Sequence, residues 1–411
     1  MAGQVLTRRR FLKHTAAGAA ALGMGMIAGG PAAGRIPGAA DRVNIGIIGC
    51  GAMGRNHLRE LVHRQEQPRQ PVRVAGVCDI FEPRKLRARE ISGAPVYHDY
   101  RKLLERRDLD AVVIATPDHW HARMTLDALD AGKDVYVERP MTHTWEEARE
   151  VARAAREKGR IVQVGVQSTS EDIWRKAGEL VRQGRLGRVL WSQTGICRNS
   201  PEGERSYPPD GDASPASLDW KAFLGPAPRR EFDPSRFFRW RNYWDYSGGI
   251  ATDLFYEQLA HLLVALGPEF PTRVTASGGV YVQREREVPD TFFMTVDYPS
   301  EHTVVLVSSL ASKQCVPEII RGQKATLYFE GPRLIIRPET AFRQDEDAET
   351  ILEEPRPGHM DNFIECVRTR KAPNCDAELG YRTMTAIALG ILAYRQNRVM
   401  VFDPSCQRLR T

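Results

Sequence analysis

The feature that most constrains this chain is the glycine pattern of IIGCGAMG, residues 47–54. The β-branched run VNIGII before it predicts a buried strand, and CGAMGRNHLRELVHR predicts a turn that becomes a helix. Gly49 permits a tight turn, Gly51 lets a pyrophosphate approach the backbone, and Gly54 lets helix and strand pack closely. Phosphates placed here meet a helix N-terminus, where free amides and the helix dipole favour anions. The pattern therefore predicts a dinucleotide-binding turn.

The order of the predicted elements indicates two domains, for which 411 residues are sufficient. Over residues 41–166 strands and helices alternate with short connections, which is typical of a doubly wound parallel sheet. Over residues 167–395 the strands follow one another at hairpin spacing, and helices come last. We predict an α/β fold class, with an N-terminal Rossmann sheet and a C-terminal α+β domain whose open sheet is largely antiparallel. Residues 396–411 are predicted to be a C-terminal tail.

The predicted cofactor site continues along the carboxyl edge of the parallel sheet, where ligands bind in such folds. Asp79 ends the second strand, where its carboxylate would accept hydrogen bonds from the ribose hydroxyls and repel a 2′-phosphate. This favours NAD, although Arg84 keeps NADP possible. Two histidines, His119 and His121, have no third ligand nearby, so no metal site is predicted. The predicted cofactor-binding residues are Gly49, Cys50, Gly51, Ala52, Met53, Gly54, Asp79, Thr116, Pro117, His119, Glu138 and Arg139.

Residues 1–40 indicate a targeting segment. They contain five basic residues and no acidic one, so most of the net charge of +6 lies there and the remaining chain is nearly neutral. Nucleic acid is therefore not a predicted partner. The run TRRRFLK, followed by an apolar stretch rich in Ala and Gly, resembles a twin-arginine export signal and predicts a periplasmic or other extracytoplasmic location. The alternative is a membrane anchor, but no segment of the mature chain predicts a stable span.

Export of a folded protein has consequences for its cofactor and its cysteines. A nicotinamide enzyme exported in this way must hold its nucleotide tightly, because free NAD is scarce outside the cytoplasm. The seven cysteines are an odd number and include no C-x-x-C, so we predict free thiols that are mostly small buried residues.

Four stretches of the sequence together resemble the Gfo/Idh/MocA oxidoreductases, in particular their exported branch. The stretches are GIIGCGAMG, ATPDHWH, AGKDVYVERP and VQVGVQ. The resemblance covers residues 43 to about 395. It implies NAD(P)-dependent oxidation or reduction of a sugar, polyol or related compound, and a homo-oligomer formed through the C-terminal sheet. Family members usually carry Glu-Lys-Pro, often with a cis proline, where this chain has Glu138-Arg139-Pro140. They also carry Asp-x-Gly-x-His-x-x-Asp, of which TDLFYEQLAH keeps only the first aspartate and has Phe255, Glu257 and Ala260 at the other positions.

These departures raise the question of which group accepts the proton when an alcohol is oxidised. A useful base has a pKa near the working pH, and a guanidinium does not lose its proton there, so Arg139 can stabilise charge but cannot be the base. In a helix, Asp253, Glu257 and His261 share one face. Glu257 is the first candidate, with His261 and Tyr256 behind it. Beside Arg139 a glutamate would serve poorly, whereas beside Asp253 in a closed pocket it would serve better.

Two substrate-binding residues and two further functions complete the predictions. Gln167, after the last Rossmann strand, and Arg241, in the aromatic stretch FFRWRNYWDYSGG, are candidates to contact substrate; that stretch could equally pack an insertion onto the core. One alternative function is a glycoside-cleaving or epimerising enzyme that uses NAD transiently through a keto intermediate. Another is a binding protein that retains the nucleotide and has lost turnover.

Overall fold

The computed structural model describes residues 42–67, 72–200, 208–343 and 348–410. The predicted signal segment, residues 1–40, lies outside this part of the chain. Within it, no helix combines the length and the apolar character needed to cross a membrane.

The N-terminal sheet has six parallel strands in the order β3–β2–β1–β4–β5–β6, as a Rossmann domain requires. Its central strands are buried on both faces, which explains why their sequences are largely apolar runs. The predicted doubly wound parallel sheet is confirmed. The strands are β1 (Val43–Ile48), β2 (Val72–Cys78), β3 (Val96–Tyr97), β4 (Ala111–Ile114), β5 (Asp134–Glu138) and β6 (Val162–Gly165).

Helices connect these strands, and their ends follow from local sequence. The best-defined one begins at a capping box, in which the Thr144 hydroxyl accepts from the Glu147 amide, and it ends at Gly159 with positive φ. The helices are α1 (Ala52–Glu66), α2 (Glu82–Ser92), α3 (Tyr100–Leu104), α4 (Asp118–Asp130), α5 (Trp145–Lys158) and α6 (Asp172–Arg182). A short 3-10 turn, Gln167–Ser170, joins β6 to α6.

The second sheet has ten strands in the order β14–β13–β12–β11–β7–β10–β9–β8–β15–β16. All neighbouring pairs are antiparallel except β7 with β10, so the predicted, largely antiparallel sheet is confirmed. The strands are β7 (Val189–Cys197), β8 (Arg273–Gly279), β9 (Thr291–Asp297), β10 (Thr303–Ser309), β11 (Ile319–Gly322), β12 (Ala325–Glu330), β13 (Arg333–Pro338), β14 (Glu349–Leu352), β15 (Met400–Asp403) and β16 (Arg408–Arg410).

The helices of the C-terminal part include one departure from a regular α-helix. A regular helix over TDLFYEQLAHLLVAL, which begins at Thr252, is the condition for Asp253, Glu257 and His261 to share one face, but residues Ala251–Phe255 form a π-helix that continues into an α-helix. Such wide turns often occur at functional sites. The α-helices are α7 (Trp220–Leu224), α8 (Pro234–Phe238), α9 (Tyr256–Leu266), α10 (His359–Thr369) and α11 (Ala377–Gln396); residues Trp240–Asn242 and Thr340–Phe342 form 3-10 turns.

Two C-terminal segments pack in ways that the sequence did not indicate. The predicted tail contains β15 and β16, which extend the second sheet because β15 pairs with β8. Helix α10 packs on the Rossmann core, where Phe363 and Val367 share an apolar cluster with Val43 and Ile45. Both segments contact elements that are distant in the sequence, and local sequence patterns do not indicate such contacts.

Candidate functional site

The glycine turn has the geometry of a phosphate-binding loop. Gly49 has φ of +89°, and a Cβ on Gly54 would lie 1.8 Å from the Gly49 carbonyl oxygen, so neither position accepts a side chain. A Cβ on Gly51 would meet only Arg84, at 3.6 Å. The backbone at Gly51 is therefore open to a ligand at the start of α1, and these residues fit a dinucleotide.

Asp79 is fixed at the end of β2, next to this turn. One carboxylate oxygen accepts from the Cys50 amide at 2.7 Å and the other accepts from the Phe81 amide at 2.8 Å. Each oxygen retains a lone pair, so the carboxylate can also accept from ribose hydroxyls. This second feature also fits the nucleotide.

A cavity of about 670 Å³ begins at the glycine turn and is lined by both parts of the chain. Its C-terminal lining includes Gln167, Asp253 and Arg241, which are all predicted site residues. Cys50, Gly54 and His119 are not part of the lining. The predicted cofactor residues that do line it are Gly49, Gly51, Ala52, Met53, Asp79, Thr116, Pro117, Glu138 and Arg139.

His119 is buried beside the cavity instead of facing it. Its Nε2 donates to the Phe223 carbonyl at 2.9 Å, and burial lowers its pKa to about 3. The neutral ring therefore joins α4 to a later segment of the chain. Within the described residues, no group of three or more His, Cys, Asp or Glu side chains is arranged to hold a metal ion. All seven cysteines are free, and four of them are buried.

The segment 208–247, which we call the insertion, covers the nucleotide end of the cavity. Phe237, Phe238 and Trp240 line it, and the guanidinium of Arg84 lies 4.6 Å from the Phe237 ring centre. The insertion is held to the Rossmann domain by a backbone bridge between Phe81 and Leu218. Its aromatic residues thus pack against the Rossmann domain and also line the cavity.

Arg139 forms the centre of the catalytic candidates. Its peptide bond to Pro140 is cis, and its side chain projects towards the π-helix. Nη1 lies 3.1 Å from Asp253 Oδ1, and Nη2 lies 2.8 Å from Glu257 Oε2. Burial by itself lowers the pKa of Arg139, but the charges of Glu257 and Asp253 outweigh it and raise that pKa. Glu257 therefore lies beside Arg139, the arrangement in which a glutamate serves poorly as a base.

The other two base candidates have different surroundings. Tyr256 is fully buried, and its hydroxyl donates to the Gly380 carbonyl at 3.0 Å, so it belongs to the core and not to the cavity wall. His261 is also buried, but both of its ring nitrogens contact polar side chains, those of Ser168 and Glu318.

His57 is a site residue that the sequence analysis did not identify. It lies on α1, and its Nε2 is 2.6 Å from Glu138 Oε1. Burial by itself disfavours the imidazolium, but the hydrogen bond to Glu138 outweighs it and raises the pKa of His57. For Glu138, burial favours the neutral acid, but the hydrogen bond from His57 lowers the pKa overall. The pair fixes Glu138 at the cavity, and a lone histidine on a predicted helix carries no signal of such a distant partner.

Fold and site together define a two-domain protein with a dinucleotide-binding Rossmann domain and a polar cleft shared with an α/β domain. Residues 43–166 match the family model for the oxidoreductase family, NAD-binding Rossmann fold, and residues 203–411 match the one for its C-terminal alpha/beta domain. The chain belongs to the Gfo/Idh/MocA oxidoreductase family, and its first domain is an NAD-binding domain.

Individual relatives agree with this assignment. Inositol 2-dehydrogenase 2 of Saccharopolyspora erythraea is 36% identical over 169 residues, which are 41% of this chain and 47% of that protein. A glycosyl hydrolase family 109 protein of Shewanella baltica is 31% identical over 211 residues, 44% of each chain. The chain thus spans about half the length of the curated relatives it matches. The WlbA dehydrogenase of Bordetella pertussis, solved with NADH and UDP-GlcNAcA, has the same fold, with a TM-score of 0.66, 20% identity and coverage of 88% of this chain and 99% of that one.

Proposed function

We propose that this protein is an exported, NAD-dependent oxidoreductase that acts on a CH–OH group of a sugar, polyol or related compound. The observation that carries the proposal is the continuous cavity from the glycine turn to Arg139, Asp253 and Arg241. The relatives add support, since one is named an inositol 2-dehydrogenase and one was solved with NADH and a sugar nucleotide.

The glycine turn, Asp79 and the cavity wall are the groups that would hold the cofactor. When bound, NAD supplies hydride acceptance. At the other end of the cavity, the guanidinium of Arg139 provides fixed N–H donors and positive charge for a substrate oxygen. Asp253 and Glu257 hold that guanidinium in place, and Asp253, which lines the cavity, can accept hydrogen bonds from sugar hydroxyls. Asp253 thus orients a polyol, and the guanidinium of Arg139 stabilises an alkoxide while it keeps its own proton.

The insertion supports the proposal that the nucleotide is held tightly. It covers the cavity with aromatic side chains and is fixed at several points, including the bond from Trp120 Nε1 to the Phe223 carbonyl at 2.9 Å. A retained nucleotide suits an enzyme that works outside the cytoplasm. The basic run in residues 1–40 is the basis for proposing export, and the open ten-stranded sheet is the basis for proposing a homo-oligomer.

A direct test is to purify the protein, denature a sample and identify any released nucleotide by mass. Candidate sugars and polyols are then added to the native protein, and near-ultraviolet absorbance is followed for reduction of bound nucleotide in a single turnover. Nucleotide reduction by at least one polyol supports the proposal. Retained nucleotide that no polyol reduces contradicts the proposed activity.

A second candidate function is cleavage or epimerisation of a glycoside through a transient keto intermediate. It is favoured by the similarity to a protein named as a glycosyl hydrolase of family 109. The same experiment separates the two functions, because this one releases an aglycone from a chromogenic glycoside and leaves no net change in the oxidation state of the nucleotide.

A further inference from the structure

The proposed reaction still lacks a group that accepts the hydroxyl proton. Asp253 and Glu257 are both paired with Arg139, and a carboxylate in such a pair would weaken the pairing by taking a proton. Tyr256 is bound to a backbone carbonyl within the core. Of the predicted bases, His261 is left, and its hydrogen bonds form a chain.

The ring of His261 is fixed on both edges and on one face. Nδ1 lies 3.0 Å from Ser168 Oγ, and Nε2 lies 2.9 Å from Glu318 Oε1. The indole of Trp174 stacks on the ring at 3.8 Å with an interplanar angle of 10°. Both bonds have ordinary hydrogen-bond lengths, so the three side chains form a Ser–His–Glu chain with one defined ring orientation.

The surroundings of Glu318 decide which ring nitrogen carries the proton. An ionised carboxylate only accepts hydrogen bonds, and Glu318 Oε1 also accepts from the Thr194 hydroxyl at 2.5 Å. The proton between His261 and Glu318 therefore belongs to Nε2. Nδ1 is left as an acceptor, and the Ser168 hydroxyl is its donor.

Ser168 is the member of this hydrogen-bonded chain that directly adjoins a cavity-lining residue in the sequence. It follows Gln167, a cavity-lining residue, in the turn at the carboxyl edge of the Rossmann sheet. Ser168 is partly exposed, whereas His261 is buried. Carboxylates face His261 from three elements: Glu257 on its own helix, Glu318 before β11 and Glu171 before α6.

We infer that Ser168, His261 and Glu318 are the proton-accepting chain of this site. The O–H bond of the substrate breaks as an O–H bond forms at Ser168 Oγ, and the proton that Ser168 already carried moves to Nδ1 of His261. The imidazolium is stabilised by Glu318, which remains ionised and acts as a positioning residue. Ser168 is the member that touches the substrate. This inference rests on the proposed oxidoreductase function, which supplies the alcohol.

The kinetic test uses Ser168→Ala, a small change that leaves the Trp174–His261 stack in place. Single-turnover reduction of bound nucleotide by a sugar that the wild type oxidises is measured across a pH series. The variant should be slower by about a hundredfold, the scale of general-base catalysis, and should lose the acidic limb of the rate profile. Ser192→Ala is the matched control, because its hydroxyl binds another buried histidine, His302, at 2.9 Å, and neither neighbour of Ser192 in the sequence lines the cavity, whereas Gln167 beside Ser168 does. That variant should keep the wild-type rate and profile.

Two results would contradict the proposed proton-accepting role of Ser168, His261 and Glu318 while leaving the oxidoreductase function intact. One is a Ser168→Ala variant with the wild-type rate and pH profile. The other is a Glu257→Gln variant that loses the acidic limb while Ser168→Ala keeps it, which would identify Glu257 as the base.

A second measurement needs no turnover, so its failure is separate from failure of the proposed function. Nitrogen-15 NMR of the histidine side chains in the resting protein should show His261 protonated at Nε2 and accepting at Nδ1. Glu318→Gln should change the tautomer ratio of that ring, and Ser192→Ala should not. If the His261 ring of the resting wild-type protein is protonated at Nδ1 alone, the proposed proton transfer from Ser168 to His261 is contradicted, whatever the substrate.

Discussion

Nη2 of Arg139 lies 2.8 Å from Oε2 of Glu257, so the residue that replaces the usual lysine is ion-paired with the residue that replaces the usual histidine. The two departures from the family pattern are therefore in direct contact. The guanidinium is permanently charged and holds one carboxylate at each terminal nitrogen, Asp253 at Nη1 and Glu257 at Nη2, which suits substrate orientation more than proton transfer.

Substitution at Arg139 should separate nucleotide binding from turnover. Arg139→Met removes the donors directed at a substrate oxygen and leaves Asp253 and Glu257 without this partner, so single-turnover reduction should fall by about a hundredfold or more. Arg139→Lys keeps a cation and should still co-purify with nucleotide, because the glycine turn is untouched. The check is the amount of nucleotide per protein alongside the rate. Loss of nucleotide in the lysine variant would contradict this separation.

The two glycines of the turn should respond differently to alanine. In Gly54→Ala the new methyl group overlaps the Gly49 carbonyl, so the free energy of unfolding should fall by about 3 kcal/mol, the upper end of overpacking costs. In Gly51→Ala the methyl group meets only Arg84, so stability should change by about 0.5 kcal/mol or less.

Nucleotide affinity should nevertheless fall in Gly51→Ala, because the methyl group occupies the approach to the backbone. We expect the Kd for NAD to rise about tenfold or more, which corresponds to about 1.4 kcal/mol. Denaturant titration and calorimetric binding measure the two effects. Wild-type affinity in this variant would show that the phosphates do not approach Gly51.

Truncating an aromatic side chain of the insertion should increase the rate at which the nucleotide dissociates. Phe238 lines the cavity and its ring lies 5.3 Å from the Arg84 guanidinium, so Phe238→Ala removes part of the cover over the nucleotide. Losing the burial of one aromatic ring, about 2 kcal/mol, should raise the dissociation rate of bound nucleotide by about thirtyfold. The rate can be followed by dilution into a nucleotide scavenger.

Phe342→Ala is the control for this change, because Phe342 is exposed and lies outside the insertion. Equal dissociation rates for the two variants would mean that the insertion does not retain the nucleotide.

The buried His57–Glu138 pair should shape the dependence of stability on pH. The folded pKa of His57 is raised above its usual 6.5, so its contribution is full below that pH and is lost as the pH rises through the folded value. The folded pKa of Glu138 is lowered below its usual 4.5, so its contribution is full above that pH and is lost as the pH falls through the folded value. The stabilising contributions of His57 and Glu138 are therefore both fully present between pH 4.5 and 6.5.

The free energy of unfolding, measured by urea titration over a pH series, should therefore show a component with its plateau in that window. The component should be missing in His57→Gln, which keeps a hydrogen-bond donor for Glu138 but does not titrate. A plateau unchanged in that variant would assign the pH dependence to other groups.

The sequence alone is sufficient to predict the fold class and the nucleotide turn, because both depend on local patterns. Buried parallel strands produce continuous apolar runs, and the turn needs glycine wherever a side chain would strike backbone, as at Gly49 and Gly54. It also ruled out Arg139 as a base, since that conclusion follows from the chemistry of one side chain.

Only the tertiary structure decided which partners these residues have. Glu257 lies beside Arg139 because β5 and α9 meet across the cleft, and the π-helix at Asp253 changes the regular helical spacing that the sequence predicted. His57 contacts Glu138, and His261 contacts both Ser168 and Glu318. These pairs are 57 to 93 residues apart in the sequence. Contacts at that distance arise from packing of the whole chain, and no local period of hydrophobic or polar residues encodes them.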